Sequence, residues 1–360
     1  MKKDVPMFAS QKLHLTFDDV TLVTGLCDVE SRSSVSLASP LPKGYSLDLP
    51  IMTAAMDTIT SGPMAKAIID AGGAVVHHRN QTVEERCHLL GEMRSHPLVL
   101  EKRAINGAAV GLRVSQQEVS SLIEAGANLI CVEVAHAYMT GVADVVKRIG
   151  PLCQAANTLL MVGNFSSVEG TLWLRQETGD LVDIVKVSQG GGSCCLTRVR
   201  AGFGKPTLQA VMDLTEAETP YHVVADGGIR NSGALAKALG AGACAGMLGG
   251  MLSGTDETPG PLVTQGDHMF KEFRGMASEA AKEEVVDGEV KNVEGVATLV
   301  PYRGPVSPIF AQIREGLQSA LASTGFTSLP EFQRESQFIR VSHSSQLESL
   351  PHAKLLSEGE

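Results

Sequence analysis

The run Gly190-Gly191-Gly192-Ser193-Cys194-Cys195-Leu196-Thr197-Arg198 puts three glycines, two hydroxyls and two thiols in one short stretch. Glycines let a backbone approach a ligand closely and turn its amides toward it. A thiol in such a loop can serve as a covalent nucleophile once its pKa is lowered, and the loop amides or Arg198 can supply that lowering. Adjacent loop residues point in different directions, so on this ground the nucleophile is either Cys194 or Cys195. The bland alternative is a flexible loop with incidental cysteines. It is the weaker reading, because these thiols follow an apolar run and are not needed to pack it.

Two further glycine pairs close apolar runs: Asp226-Gly227-Gly228 and Gly249-Gly250. Either alone reads as a plain turn. Together, in successive runs, they read as a phosphate site, with backbone amides aimed at the anion and Asp226 placed to accept hydrogen bonds from ribose hydroxyls.

These residues need a scaffold, and the pattern supplies one. Eight apolar runs too short for helices recur: Leu49–Ala55, Ala74–His78, Ile105–Val110, Leu129–Ala135, Leu159–Asn164, Ile184–Ser188, Tyr221–Ala225 and Cys244–Gly249. They are continuously apolar, as strands covered on both faces must be. Helical patterns alternate with them, and Met64–Ala71, Gln117–Ala125 and Ser232–Ala241 each end in Ala-Gly, a helix stop. Eight βα units predict an α/β fold, a closed (β/α)₈ TIM barrel, with its chemistry where strands end and helices begin. The glycine-punctuated, charged stretch 255–304 reads as a long mobile insertion after the eighth strand, able to act as a lid. The tail from Ser342 is polar and aperiodic, and is expected to be extended, disordered or docked on a neighbouring subunit.

Composition narrows the partners. A chain of 360 residues with 43% apolar residues, 37 glycines and 19% charge can bury a large single core. A net charge of −10 offers no basic field for a polynucleotide, so a nucleotide ligand is expected to be small and locally bound. No segment approaches the roughly 20 apolar residues of a membrane span, and none has the form of a signal peptide, so a cytoplasmic protein is expected. Seven cysteines without metal-type spacing read mostly as small buried hydrophobes.

Across roughly residues 13–343 the ordered motifs Leu15-Thr16-Phe17-Asp18-Asp19-Val20, Met56-Asp57-Thr58, Gly163-Asn164, the Gly190–Arg198 loop, Ala225–Asn231, Met247–Leu252 and Phe273-Arg274-Gly275-Met276 resemble the inosine monophosphate dehydrogenase and guanosine monophosphate reductase family. The resemblance implies a TIM barrel and a cysteine nucleophile at Cys195, with Cys194 at a variable position. It puts Thr197 and Glu294 at proton transfer. It places the purine nucleoside monophosphate against Ser193, Asp226, Gly227, Gly228, Gly249, Gly250, Phe273, Arg274, Gly275, Met276 and Lys291. Glu133, Val134, Ala135 and Asn164, with Ala277 and Ser278, fall at the nicotinamide cofactor. Carbonyls of Gly190, Gly192 and Cys195 match the family's potassium ligands, and a homotetramer is implied. The lead-in Ser188-Gln189-Gly190-Gly191 departs from the family's usual Gly-Ile-Gly-Pro, which predicts a more flexible loop. Residues 1–343 are expected to form one barrel domain with a flap at about 270–304, followed by the tail 344–360. No regulatory tandem domain fits between His78 and Ile105.

Within the family the motifs divide. The dehydrogenase oxidises IMP with NAD and hydrolyses its adduct using an Arg-Tyr pair on the flap, and between Phe273 and Gly304 only the reversed Tyr302-Arg303 occurs. Glu133-Val134-Ala135, Gly249-Gly250 and Met276-Ala277-Ser278-Glu279 resemble the reductase. Asn106–Gly111 and His78-Arg79-Asn80 resemble the dehydrogenase. The catalytic positions favour an NADPH-dependent GMP reductase. The alternative is an IMP dehydrogenase using NAD and lacking the regulatory domain. A flavin-dependent barrel would share the phosphate loops without needing Cys195, and a silent nucleotide sensor would not need Cys195 and Thr197 together.

Overall fold

The computed structural model describes residues 12–283 and 293–350. The eight apolar runs form strands β1 (Ile51–Thr53), β2 (Ala74–His77), β3 (Ile105–Val110), β4 (Leu129–Glu133), β5 (Leu159–Phe165), β6 (Ile184–Val187), β7 (His222–Asp226) and β8 (Ala245–Leu248). Each pairs in parallel with the next, and β8 returns to β1, closing the barrel. The reason for continuous apolarity is visible in the packing. Met52, Val76, Ala109, Cys131, Met161, Val224 and Met247 fill the barrel interior, while the alternating Ile51, Val75, Ala108, Val132, Val162, Val185 and Leu248 pack outward under the helices.

The Ala-Gly stops act as expected. Ala71, Ala125 and Ala241 cap the helices Gly62–Asp70, Gln116–Glu124 and Ser232–Gly240. Gly72, Gly126 and Gly242 follow at φ 80°, 115° and 104°, a region that favours glycine. A hairpin, Ser39–Pro40 with Ser46–Leu47, adds Leu41, Tyr45 and Leu47 to the interior cluster and covers the end of the barrel where the strands begin. The opposite end is left for a site. No helix among the described residues is long and apolar enough to cross a membrane.

Two expectations need correction. The stretch after β8 is not an unstructured insertion, because it holds an antiparallel sheet of β9 (Val263–Gln265), β10 (His268–Arg274) and β11 (Ala297–Pro301). The stretch is charged, yet two of its cations are buried and held by hydrogen bonds. Lys271 donates to the carbonyls of Thr255 and Thr258 at 2.9 and 2.6 Å, and Arg274 pairs with Asp57 at 2.9 Å. The tail is likewise ordered against its own chain as far as it is described. Phe338–Arg340 pairs with Val20–Leu22, and a helix His343–Glu348 capped by Ser342 follows, with Gln346 donating to the Asp18 carbonyl. Its polar residues cap and bridge within the chain, where an extended, disordered or subunit-docked segment was expected.

Candidate active site

A cavity of about 480 Å³ opens at the C-terminal ends of the barrel strands. Its wall includes Gly190, Gly192, Ser193, Cys195 and Thr197 after β6, Asp226, Gly227 and Gly228 after β7, and Gly249 and Gly250 after β8. Glu133, Val134, Ala135 and Asn164 border it from β4 and β5. Phe273, Gly275, Met276, Ala277 and Glu294 come from the flap. Residues from Ala54 to Gly295, 241 positions apart in the chain, are thereby gathered around one space.

Local geometry separates the two cysteines. Cys194 is buried, its Sγ lies 3.9 Å from the Phe273 carbonyl, and burial, with the neighbouring Cys195 adding to it, pushes its thiol up to about 11. Cys195 is half-buried and its Sγ donates to Thr197 Oγ1 at 3.2 Å. Thr197, at the start of a short helix, donates in turn to Glu294 Oε2 at 2.7 Å. The flap delivers that carboxylate through backbone bonds: Leu196 N–H to the Glu294 carbonyl at 2.7 Å, Val296 N–H to the Cys194 carbonyl at 3.0 Å, and Glu294 N–H to the Ala277 carbonyl at 3.0 Å. A line of donors therefore runs from thiol to hydroxyl to carboxylate, which can carry a proton in either direction.

The loops after β6, β7 and β8, where the phosphate is expected, approach one another closely. A Cβ at Gly227, whose φ is 87°, would lie 2.8 Å from Gly191, and one at Gly250 would lie 2.9 Å from Ser193 Oγ. The loops after β6 and β7 thus meet backbone to backbone at a distance that only glycine allows, and Gly250 after β8 leaves room for the Ser193 hydroxyl.

Beneath the cavity lies a residue that the motif reading missed. Lys186 of β6 is fully buried, and its Nζ donates to Asp226 Oδ2 at 2.5 Å, to Glu133 Oε1 at 3.2 Å and to Asn164 Oδ1. Burial raises the Glu133 carboxyl above its usual range, opposed by the Lys186 ammonium. The signal was present as a lysine inside an otherwise apolar strand. The lead-in Gln189 also differs from expectation. It is buried, its amide nitrogen lies 2.7 Å from His136 Nδ1, its amide oxygen accepts from Ser166 at 2.7 Å, and its carbonyl accepts from Arg198 at 2.8 Å. A brace to the loops after β4 and β5 stands where a looser loop was expected.

Some expected contacts are not made. Arg274 does not border the cavity, because it alternates with Phe273 along β10 and turns to Asp57. Ser278 is buried outside the cavity wall, where its hydroxyl accepts from Ala281 N–H at 3.3 Å at the start of the short helix Glu279–Glu283. Lys291 lies outside the described residues. Conversely, Arg79 lines the cavity on the Glu133 side without having been expected there.

The IMP dehydrogenase / GMP reductase domain model matches residues 14–352. An inosine-5′-monophosphate dehydrogenase of Borreliella burgdorferi is 31% identical over 399 aligned residues, covering 94% of this chain and 96% of that protein. A GMP reductase of Leishmania donovani is 35% identical over 268 residues, 69% of this chain and 53% of that protein. A solved structure, GMP reductase from Trypanosoma brucei in complex with guanosine 5′-monophosphate, superposes with a TM-score of 0.86 at 27% identity, covering 96% of this chain and 99% of that one.

Proposed function

Because the chain belongs to the IMP dehydrogenase / GMP reductase family, oxidoreductases that act on purine nucleotides with a nicotinamide cofactor, we propose that it is of the GMP-reducing kind. It converts GMP and NADPH, with two protons, to IMP, ammonium and NADP⁺. The observation that carries this reading is the line Cys195–Thr197–Glu294, ending on a flap without an Arg-Tyr pair. The reversed Tyr302 and Arg303 are turned to Asp256 at 2.6 Å and to the Met251 carbonyl at 2.9 Å, away from the cavity. A dehydrogenase must activate a water against its adduct, whereas a reductase needs an acid for a departing amine.

In this reading Cys195 passes its proton through Thr197 to Glu294, and the thiolate adds to carbon 2 of the guanine. Glu294 returns that proton through Thr197 to the amino group, which leaves as ammonia and is protonated in solvent. When bound, the reduced cofactor would supply a hydride to the same carbon, and Cys195 would leave as the thiolate, giving IMP. Ser193, Gly228, Gly249 and Gly250 hold the phosphate, Asp226 the ribose, and Gly227, Phe273, Gly275 and Met276 surround the nucleotide. Glu133 and Asn164 face the nicotinamide, with Val134, Ala135 and Ala277 alongside. The Arg79 guanidinium at the cavity edge suits the anionic part of the cofactor. Potassium, a homotetramer and a cytoplasmic setting belong to the same reading by resemblance. Of the expected potassium ligands, the Gly192 carbonyl already accepts Cys195 N–H at 3.0 Å and keeps a second lone pair.

The second reading, oxidation of IMP to XMP with NAD, draws on the Borreliella relative, which aligns over nearly its whole length. Following the absorbance of the reduced cofactor with GMP plus NADPH, and separately with IMP plus NAD, decides between them. Consumption of NADPH with ammonia release is expected. Steady XMP formation, with no ammonia from GMP, overturns the proposal.

A further inference from the structure

Three residues on the cavity wall, Glu133 from β4, Asn164 from β5 and Asp226 from β7, converge on one buried ammonium that does not itself reach the cavity. An ammonium has three protons, and Lys186 has three acceptors, so its donor capacity is filled by wall residues alone. Around it the barrel interior is apolar, with Met161, Val224, Met247 and Cys131 as neighbours in the interior cluster. Packing such a layer needs no charge, and burying one cation with two carboxylates is costly unless each is satisfied. The network is thus better explained by what it holds in place than by stability.

Its layout joins two halves of the cavity. Lys186 pairs in register with Val224 on one side and Gly163 on the other, so its side chain lies between the strand bearing Asp226 and those bearing Asn164 and Glu133. Asp226 serves the nucleotide ribose, and Glu133 with Asn164 serves the nicotinamide, assignments that rest on the function proposed above. We propose that Lys186 is a positioning residue that couples the ribose site to the nicotinamide site, so that filling one strengthens binding at the other. A ribose hydroxyl donating to Asp226 takes up part of the charge that Lys186 neutralises, and frees the ammonium to hold Glu133 and Asn164 more firmly. By linkage the effect is equal in both directions.

Titration calorimetry tests this without turnover. The dissociation constant of NADP⁺ is measured with and without saturating GMP, and that of GMP with and without NADP⁺. In the unaltered protein each ligand should tighten the other by a factor of about 5 or more. In Lys186→Met that factor should fall to about 1, with KM raised for both substrates. A residue with a merely structural role would lower the active fraction and leave both KM values and the coupling factor unchanged. If Lys186→Met fails to fold, Lys186→Met/Glu133→Gln removes one charge of each sign and should fold with the coupling lost. Coupling that persists in either folded variant, or that is absent from the unaltered protein, overturns the proposal. Should the protein prove to oxidise IMP, the same titrations with the non-reacting pair IMP and NADH judge Lys186 independently, so failure of the functional reading and failure of the coupling remain separate outcomes.

Discussion

Replacing Glu294 by glutamine tests the proton line at its least obvious member. The substitution keeps an amide oxygen able to accept from Thr197 Oγ1, now at 2.7 Å from the carboxylate, and removes only the capacity to hold a proton. The backbone on either side is tied to Ala277 and Leu196, so the side chain should stay where it is. Positioned acid-base groups contribute about 10²–10⁴ in rate, equivalent to roughly 3–5 kcal/mol at about 1.4 kcal/mol per factor of ten. We therefore expect kcat for GMP to fall about 10²–10⁴-fold, with KM for GMP changed less than about 3-fold. Thr197→Val, which breaks the line one step earlier, should cost a similar factor, and the double variant should cost little more than either single one, because the residues act as a unit. The assay is the initial rate of ammonia release, with single-turnover mixing to separate loss of the amine from hydride transfer. A Glu294→Gln enzyme with kcat within about 3-fold of the parent, or losses that simply multiply in the double variant, would refute the relay.

Cys195→Ser should abolish turnover while GMP still binds, and Cys194→Ser should retain substantial activity. Alkylation near neutral pH should label Cys195 before Cys194, whose thiol at about 11 is almost wholly protonated there; mass spectrometry of the labelled peptide gives the order. Guanosine should bind far more weakly than GMP, by about 1.5–3 kcal/mol for each charged hydrogen bond lost at the phosphate loops, and equal dissociation constants would remove the phosphate site. Gln189→Leu leaves half-buried Ser166 without its partner while exposed His136 rebonds to water, so the thermal midpoint should fall by the equivalent of about 0.5–1.5 kcal/mol together with kcat/KM; unchanged values of both would show that the brace does nothing. Buried His77 is held down to about 3 from its usual 6.5, chiefly by desolvation, then by His78 and Arg86. Its folded form stays neutral while the unfolded chain takes a proton, so stability is complete above pH 6.5 and is lost as pH falls toward 3. At pH 5 the loss is about 2 kcal/mol, and His77→Asn should flatten the fall in thermal midpoint between pH 8 and pH 5.

The barrel was legible because its signals are local. Continuous apolar runs and the Ala-Gly stops at 71–72, 125–126 and 241–242 depend on backbone conformation and on burial of both strand faces, which hardly vary with the rest of the fold. Motif order was likewise enough to nominate Cys195, Thr197 and the glycines that meet after β6, β7 and β8. Strand β10 was obscured because charge alone does not reveal burial: Lys271 read as part of a charged mobile insertion and Arg274 as a nucleotide contact, until their partners, carbonyls and Asp57, come from elsewhere in the chain. The capped tail helix was missed for a related reason, since its polar residues bond to a segment more than 300 positions away.

By itself, then, the sequence determined the strand and helix alternation, the glycine-rich turns and the family, because these follow from periodicity, from glycine's freedom at positive φ and from motif order. Only the tertiary structure decided which thiol faces a hydroxyl, that Glu294 reaches Thr197 across 97 residues, that Arg274 braces Asp57 and does not border the cavity, and that Lys186 gathers Glu133, Asn164 and Asp226. All but the first are long-range contacts between polar groups. Their direction depends on where the barrel's closure and the flap's register bring side chains that no local pattern connects.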